Sequence, residues 1–527
     1  TIRDRYTTEE GSAKMATKYG AVAIKNDADD INKSRAIEMP DNSAPKCRDP
    51  IFAILFIAHL AGMLAMGILH GSFESADSVE TELDDEELES VADVLKLIAL
   101  PCTAFAFIMS LITTAFIIPI NTEFVVKASV LSWLCVSIGI MITAAIEIQS
   151  YWSFAATGPL VLLSIYYVYR VWYLIPFAAV NLKVALKGMS ANWGIYLIAT
   201  GFTFVTFMWI VGWFYVFNGF LQNHKKFSQD AGCFDADGNL NSEDVGCEMD
   251  SDDVAQYLGI MFLFLVSLYW TIKVIFNTIS VTVAGVMATW CFDAADASSC
   301  CSNAVTSSIA RAIILSLGSI CFGSLLEAII SALRTIAEMA KAREDADGNK
   351  CDAGSILLCI LTCILNLLED IIEYFNQWAY VYVGIYGTSY LESGKRVMDL
   401  FRNRGWTALF TTDLASHVLG ATTVVVGILS GLLGMAIDSA TDKIGVNGYW
   451  DSFFVGLIVG LFITHVIMNV IMGAINTVIV CFADAPEKFD DNHPALTQEM
   501  AQVWVKIFPE CGADELVGKG PKYQAVV

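Results

Sequence analysis

The chain has 527 residues, of which 55% are apolar and only 16% charged, well below the charged share of about 25% usual in soluble domains. Its 31 Lys+Arg stand against 55 Asp+Glu, a formal net charge of −24, and the mean hydropathy is +0.56. The acids gather between long uncharged stretches instead of spreading along the chain. That excludes a soluble enzyme, a coiled coil and a disordered chain, and leaves an all-α polytopic membrane protein. A pI of 4.5 also excludes nucleic acid as a partner, because binding it needs a basic footprint.

The first fifty residues are polar and mixed in charge, with no apolar h-region, so no cleavable signal peptide is expected. A helix crosses the hydrocarbon layer with about 20 apolar residues. Ten runs reach or nearly reach that length: Ile51–His70, Leu95–Ile120, Val125–Ile148, Trp152–Trp172, Trp193–Leu221, Val254–Trp290, Ile309–Leu333, Gly354–Ile372, Leu409–Ile437 and Phe453–Cys481. They are too continuous for barrel strands, so a helical bundle is expected. The organisation predicted is a polar tail over 1–50, a ten-helix domain over 51–481 and a second tail over 482–527.

Lys46 and Arg48 directly precede the first run, whereas the loop Gly71–Asp93 holds no Lys or Arg and ten acids. The positive-inside rule puts the tail in the cytosol and this loop outside. An even number of crossings then returns the C-terminus to the cytosol. The segment Arg334–Lys350 runs against that count, with four basic residues on the expected outer side.

Between the runs, Gln222–Asp253 reads as an acidic outer loop containing Cys233 and Cys247. A disulfide between them is expected on the oxidising side, worth about 3 kcal/mol in the chain-entropy model. The stretch Asn181–Asn192 alternates polar and apolar residues and is expected along the inner surface. Asn376–Arg404, aromatic first and then basic, reads as interfacial or re-entrant. Glu369, Asp370 and Glu373 are expected to mark the end of the eighth crossing. Cys300–Cys301 is a juxtamembrane thiol pair. DADGN occurs at Asp235–Asn239 and Asp345–Asn349, but its Gly arrives too early for a calcium loop. Zinc-ligand spacing, a phosphate-binding Gly loop and a G-x-S-x-G element are absent from the sequence, so neither an enzyme nor a cofactor is expected.

Four stretches carry a resemblance. Tyr269–Phe292 reads YWTIKVIFNTISVTVAGVMATWCF, Ser316–Ile330 reads SLGSICFGSLLEAII, Asn376–Lys395 reads NQWAYVYVGIYGTSYLESGK, and the last run ends VIVCFADAPEKF. In this order and spacing the chain resembles the choline transporter-like family (solute carrier family 44) over about Cys47–Asp491, in its compact fungal or protist form. The opening CRDPIFAILFIAHLAG resembles that family's first crossing. Ser280 and Glu327 depart from the family pattern, which has a frequent His and an apolar residue at those places. The resemblance implies ten helices, both termini in the cytosol, and choline or a related organic cation as substrate.

A trimethylammonium group has no N–H donor, so aromatic faces and a compensating negative charge recognise it. Trp209 and Trp213, four residues apart on one helix face, and Trp270 and Trp290 in the sixth run are candidate walls. Asn277 is a polar group at membrane depth, and Glu327 is a carboxylate inside an apolar run; both are expensive there and so are candidate site residues. Trp270, Asn277 and Glu327 are expected to face one cavity beside the fifth, sixth and seventh runs. His59 and His465 are further ionisable groups that a proton-coupled carrier could use. The expected function is transport by alternating access without ATP, most readily in the plasma membrane. Carriage of another polar metabolite, and a non-transporting scaffold or complex subunit, are the alternatives. Expected partners are the cation and membrane lipids, with a homo-oligomer or a larger membrane complex also open.

Overall fold

The computed structural model describes residues 47–71, 94–147, 151–230, 251–346, 353–404, 407–441 and 449–507. Cys233 and Cys247, the loop 71–93 beyond its first residue, the DADGN turn at 235–239 and the last three residues of that at 345–349 lie outside those residues. Fifteen helices follow one another: α1 Pro50–His70, α2 Lys96–Ile120, α3 Thr122–Glu147, α4 Tyr151–Val171, α5 Ile175–Ala191, α6 Gly194–Asp230, α7 Ser251–Phe292, α8 Asn303–Ile314, α9 Leu317–Ala346, α10 Ala353–Tyr386, α11 Tyr390–Arg404, α12 Thr407–Thr441, α13 Tyr449–Asp484, α14 Pro486–Asn492 and α15 Pro494–Ile507.

Among the described residues, nine helical stretches have the length and apolarity to cross a membrane, and every expected run except the eighth falls on one of them. The eighth run is the first half of α10, which is 34 residues long. This is an all-α, multi-pass integral membrane protein. Large apolar side chains such as Ile51, Ile68, Leu163 and Phe204 stand exposed on the outer faces of these helices, where lipid tails replace water as their surroundings.

Three segments differ from expectation. Asn181–Asn192 is only partly a surface: most of α5 is packed within the bundle, with Asn181 fully buried and its side-chain Nδ2 donating to the Phe177 carbonyl, while Lys187 and Ser190 keep an exposed polar edge. On that side Lys183 pairs with Glu499 of α15 at 2.7 Å. The acids Glu369, Asp370 and Glu373 do not end their helix, which continues through the aromatic stretch to Tyr386. That stretch is core rather than interface, for Trp378, Tyr380 and Tyr382 are 3% exposed or less. A Cβ added at Gly384 would sit 2.5 Å from the Ala284 Cβ and 2.7 Å from the Val281 carbonyl, so α10 and α7 cross with their backbones in contact. The basic half is a separate helix, α11, set off by Gly387 at φ 63°.

Between helices, apolar burial gains little in lipid and close packing decides the pairing. The pair α12–α13 shows this: a Cβ on Gly456 would lie 2.6 Å from the Ser430 carbonyl, and one on Gly434 2.5 Å from the Ser452 carbonyl.

Candidate functional site

Helical spacing puts polar residues of three helices in register. On α7 the stripe is Tyr269, Lys273 and Asn277; on α9 it is Ser324, Glu327, Ser331 and Thr335; on α10 it is Glu369, Glu373, Asn376 and Tyr380. Steps of three and four keep each stripe on one face. Where the faces meet, Glu327 is 2% exposed. Its Oε1 accepts from the Asn376 amide at 2.6 Å, and its Oε2 lies 3.4 Å from Lys273 Nζ. Lys273 stands 3.5 Å from Glu373 as well. The Asn376 amide also donates to the Gly323 carbonyl (3.1 Å), and its Oδ1 accepts from the Tyr390 hydroxyl. Asn277 Nδ2 donates to Ser324 Oγ at 2.9 Å, and the Tyr380 hydroxyl donates to the Ile320 carbonyl at 3.1 Å. Further along, Glu369 accepts from Ser331 Oγ and pairs with Arg334, each at 2.6 Å.

The charges do not cancel. Lys273 and Arg334 face Glu327, Glu369 and Glu373, a formal balance of −1 before the neighbouring Glu338 is counted. The excess is carried by Glu373, whose side chain is 63% exposed at the edge of the seam, where it attracts cations.

One turn along α7, Trp270 donates its indole N–H to the Cys321 carbonyl at 2.9 Å, which fixes the ring. Phe56 meets it edge-on, with centroids 5.2 Å apart, and His59 lies 5.3 Å away. His59 is 5.9 Å from Trp209 in turn, and its Nε2 is hydrogen-bonded to Ser267 Oγ at 2.8 Å. Two buried polar atoms of this group, His59 Nδ1 and Trp209 Nε1, have no hydrogen-bond partner among the described residues. Buried polar atoms are nearly always paired, so these two stand out on the aromatic group as unmet hydrogen-bonding atoms.

Of the six expected site residues, Trp270, Asn277 and Glu327 thus lie along the α7–α9 seam, and Trp209 joins them through His59. Trp213 lies one turn further along α6: its N–H donates to the Phe264 carbonyl at 3.0 Å and its ring stacks on Phe217, inside a small cluster with Met63 and Val216 against which Trp209 also packs. Trp290 is twenty residues from Trp270, about 30 Å along a helix, and stacks on His493 at 4.1 Å. His465 bonds Asn469, one turn along its own helix, at 2.9 Å, and lies within electrostatic reach of Glu373 of the seam. Trp270 and Glu327 are buried in the seam, at 4% and 2% exposed, and Lys273 is 22% exposed at its edge. A cavity of about 310 Å³ lies elsewhere, between α2, α5 and α6, lined by Leu111, Phe116, Leu186, Trp193 and Tyr196 among others.

Comparison with known proteins identifies the family. The profile of the family described as plasma-membrane choline transporter matches residues 156–487, which takes in α7, α9, α10 and the whole charged seam. The chain belongs to this family. Among its relatives, Protein PNS1 of Mycosarcoma maydis is 24% identical over 480 residues, covering 88% of this chain and 84% of that protein. Protein PNS1 of Gibberella zeae is 29% identical over 279 residues, 52% of this chain and 49% of the relative. A CTL-like protein of Dictyostelium discoideum is 30% identical over 233 residues, 44% of this chain and 40% of the relative. Membership in the choline transporter-like family makes the chain a membrane transporter.

Sequence reasoning missed Lys273, Asn376, Tyr390 and Arg334 as members of the site. A signal exists for Lys273: it lies four residues before Asn277 and three after Trp270 in an otherwise apolar run, and an intramembrane lysine is as costly as Glu327. Asn376 and Tyr390 carried no such signal, because their stretch read as interfacial.

Proposed function

We propose that the protein carries choline or a related small organic cation across a membrane, the plasma membrane first, by alternating access without ATP. The observation that supports this reading most is the adjacency of two features: an aromatic group (Trp270, Trp209, His59, Phe56) and a charged seam with a formal excess of one carboxylate. The aromatic faces suit a trimethylammonium group, each contact contributing about 0.5–2 kcal/mol. The unpartnered His59 Nδ1 and Trp209 Nε1 suit the hydroxyl of an amino alcohol. Glu327 supplies the counter-charge, and in this structure Lys273 holds that place.

Lys273 is poised to yield it. Its distances of 3.4 Å to Glu327 and 3.5 Å to Glu373 exceed the 2.7–2.9 Å of tight charge-assisted bonds, roughly the range for N⁺–H···O⁻ pairs. A cation arriving at Glu327 displaces Lys273 toward Glu373, and its charge offsets the seam's formal excess of one carboxylate.

The test is uptake of labelled choline by the full chain in liposomes, with ethanolamine and thiamine as competitors. Saturable uptake that Trp270→Ala and Asn277→Ala reduce at least about tenfold is the expected result. Full uptake by the double variant removes the site. Absence of choline uptake, with another polar metabolite carried or with none, removes the substrate or the transport reading respectively.

A further inference from the structure

The short segment Cys47–Asp49, just before α1, is built into the foot of the bundle beneath the seam. Asp49 is the only described non-glycine residue with positive φ, at φ 48° and ψ 47°, a conformation that Asn, Asp and Gly tolerate best. From that position its Oδ2 accepts two hydrogen bonds, from Ser319 Oγ at 2.7 Å and from the Tyr390 backbone N–H at 3.0 Å. Arg48 adds two more: its backbone N–H donates to the Leu315 carbonyl at 3.0 Å, and its Nε to the Gly387 carbonyl at 3.1 Å. The fit leaves no slack, because a Cβ on Gly318 would sit 2.2 Å from the Asp49 carbonyl oxygen and 2.3 Å from that of Arg48. One turn into α1, Phe52 stacks on Phe322 of α9 with centroids 4.2 Å apart.

The segment is joined to the seam by an unbroken series of bonds. Asp49 holds the Tyr390 backbone; the Tyr390 hydroxyl donates to Asn376 Oδ1; the Asn376 amide donates to Glu327. Three elements that must part for anything to leave the seam toward this end, namely the start of α9, the α10–α11 junction and the start of α1, are thus tied to a single carboxylate oxygen.

We propose that Asp49 is the latch of a gate at this end of the transporter, and a positioning residue that holds Glu327 in its closed-state geometry through Tyr390 and Asn376. The proposal rests on the seam being the substrate path. Release of Asp49 frees α9 from the α10–α11 junction and lets Tyr390 and Asn376 leave Glu327, so opening at the foot and loosening of the site's carboxylate are one event.

Cys321, fully buried two residues beyond Ser319, is a native reporter of that opening. Its alkylation by a water-soluble maleimide, resolved by peptide mass spectrometry in the full-length protein in nanodiscs, is the measurement. Three variants separate the carboxylate from the backbone. Asp49→Gly keeps the positive φ and removes the acceptor. Asp49→Asn keeps both, and Asp49→Ala removes the acceptor and strains the backbone. Loss of two hydrogen bonds to a charged group shifts an equilibrium by about tenfold or more. Asp49→Gly and Asp49→Ala are therefore expected to speed alkylation of Cys321 about tenfold over wild type, while Asp49→Asn, which keeps a neutral acceptor, falls between wild type and Asp49→Gly. Equal rates in wild type and Asp49→Gly overturn the latch, as does faster alkylation in Asp49→Asn than in Asp49→Gly. So does a matching rise at Cys291 and Cys481, which are equally buried and would report general loosening. Protection of wild-type Cys321 by choline reports the substrate reading separately: lack of protection with the expected variant order retains the gate and rejects choline, and protection with no variant effect does the reverse.

Discussion

Lys273 and Glu327 are expected to be energetically coupled, and a double-mutant cycle measures it. At 3.4 Å the gross Coulomb attraction is 332/(20 × 3.4), about 5 kcal/mol at an effective dielectric of about 20. Three features reduce the net value. Glu327 is desolvated, the Lys273 side chain is 22% exposed, and Lys273 retains Glu373 as a second partner. The expected coupling is about 1–3 kcal/mol. Lys273→Gln leaves a buried carboxylate with only Asn376 to bond it and should be the costlier single change. Glu327→Gln leaves Lys273 its pairing with the exposed Glu373 and should cost less. The double variant, with no buried charge at this point, should be more stable than Lys273→Gln alone. Reversible unfolding in mixed micelles at increasing SDS, followed by Trp fluorescence, reads all four corners. Losses that add to within about 0.5 kcal/mol would show the two groups to be independent and would refute the pairing. The same variant has a transport consequence under the proposed function: without its internal competitor, Glu327 should bind choline more tightly in Lys273→Gln, lowering KM, and a raised KM would count against the exchange of cations.

Gly456→Val should destabilise by about 3 kcal/mol or prevent assembly, since the new side chain meets the Ser430 carbonyl 2.6 Å from its Cβ; monodisperse protein with wild-type thermal stability would contradict the backbone contact of α12 and α13. Cys233 and Cys247 should be unreactive to maleimide until reduced, and two free thiols in an unreduced sample would remove the expected bridge. Both termini should be accessible from the same face of the membrane, the cytosolic one, and tags cleaved from opposite faces would rule out an even number of crossings. His493 should make the docking of α14 and α15 sensitive to acid: its Nε2–H donates to the Trp290 carbonyl at 2.8 Å, and burial, aided by Lys187, holds its pKa below the ordinary 6.5 against the opposing effect of that hydrogen bond. The folded state then binds fewer protons than the unfolded one, so this stabilisation is present above pH about 6.5 and is lost as pH falls through the folded pKa; hydrogen exchange in α15 that does not rise on acidification, or rises equally in His493→Gln, would refute it.

The sequence made the spans legible because a run of apolar residues long enough to cross a bilayer needs no tertiary information to be recognised. Glu327 and Asn277 were legible for the converse reason, as polar groups in such runs. What was not legible depended on partners remote in sequence. Lys183 on α5 looked solvated until Glu499, 316 residues later, came to meet it. The acids of α10 looked like a helix end until Ser331 and Arg334 of α9 met Glu369. Trp378, Tyr380 and Tyr382 looked interfacial because aromatic residues suit headgroups and interiors alike, and only the close approach of α7 at Gly384 decides between the two. Trp213 and Trp290 show the limit of reading aromatics as a binding wall, since each ring's place is set by a local partner, Phe217 and His493 respectively.

A carrier has to hold its path shut without holding it permanently, which limits how strong its closing contacts can be. Those of the α9 foot are separately modest: two hydrogen bonds to one Asp49 oxygen, two made by Arg48, and the Phe52–Phe322 stack, each worth about 1–3 kcal/mol or less. Backbones touch across a glycine at the foot, at Gly318, as they do where α12 meets α13 and α7 meets α10; what sets the foot apart is that its Asp49 bonds are side-chain bonds that rotation can release. A ligand can move a two-state equilibrium only by its difference in affinity between the states. One that displaces Lys273 and loosens the Asn376–Glu327 bond draws that difference from the same bonds that lead to Asp49. Under the proposed function, a substrate too weakly charged to compete for Glu327 would bind among the aromatic rings and leave the latch closed, and charge, beyond size, would be what the arrangement selects.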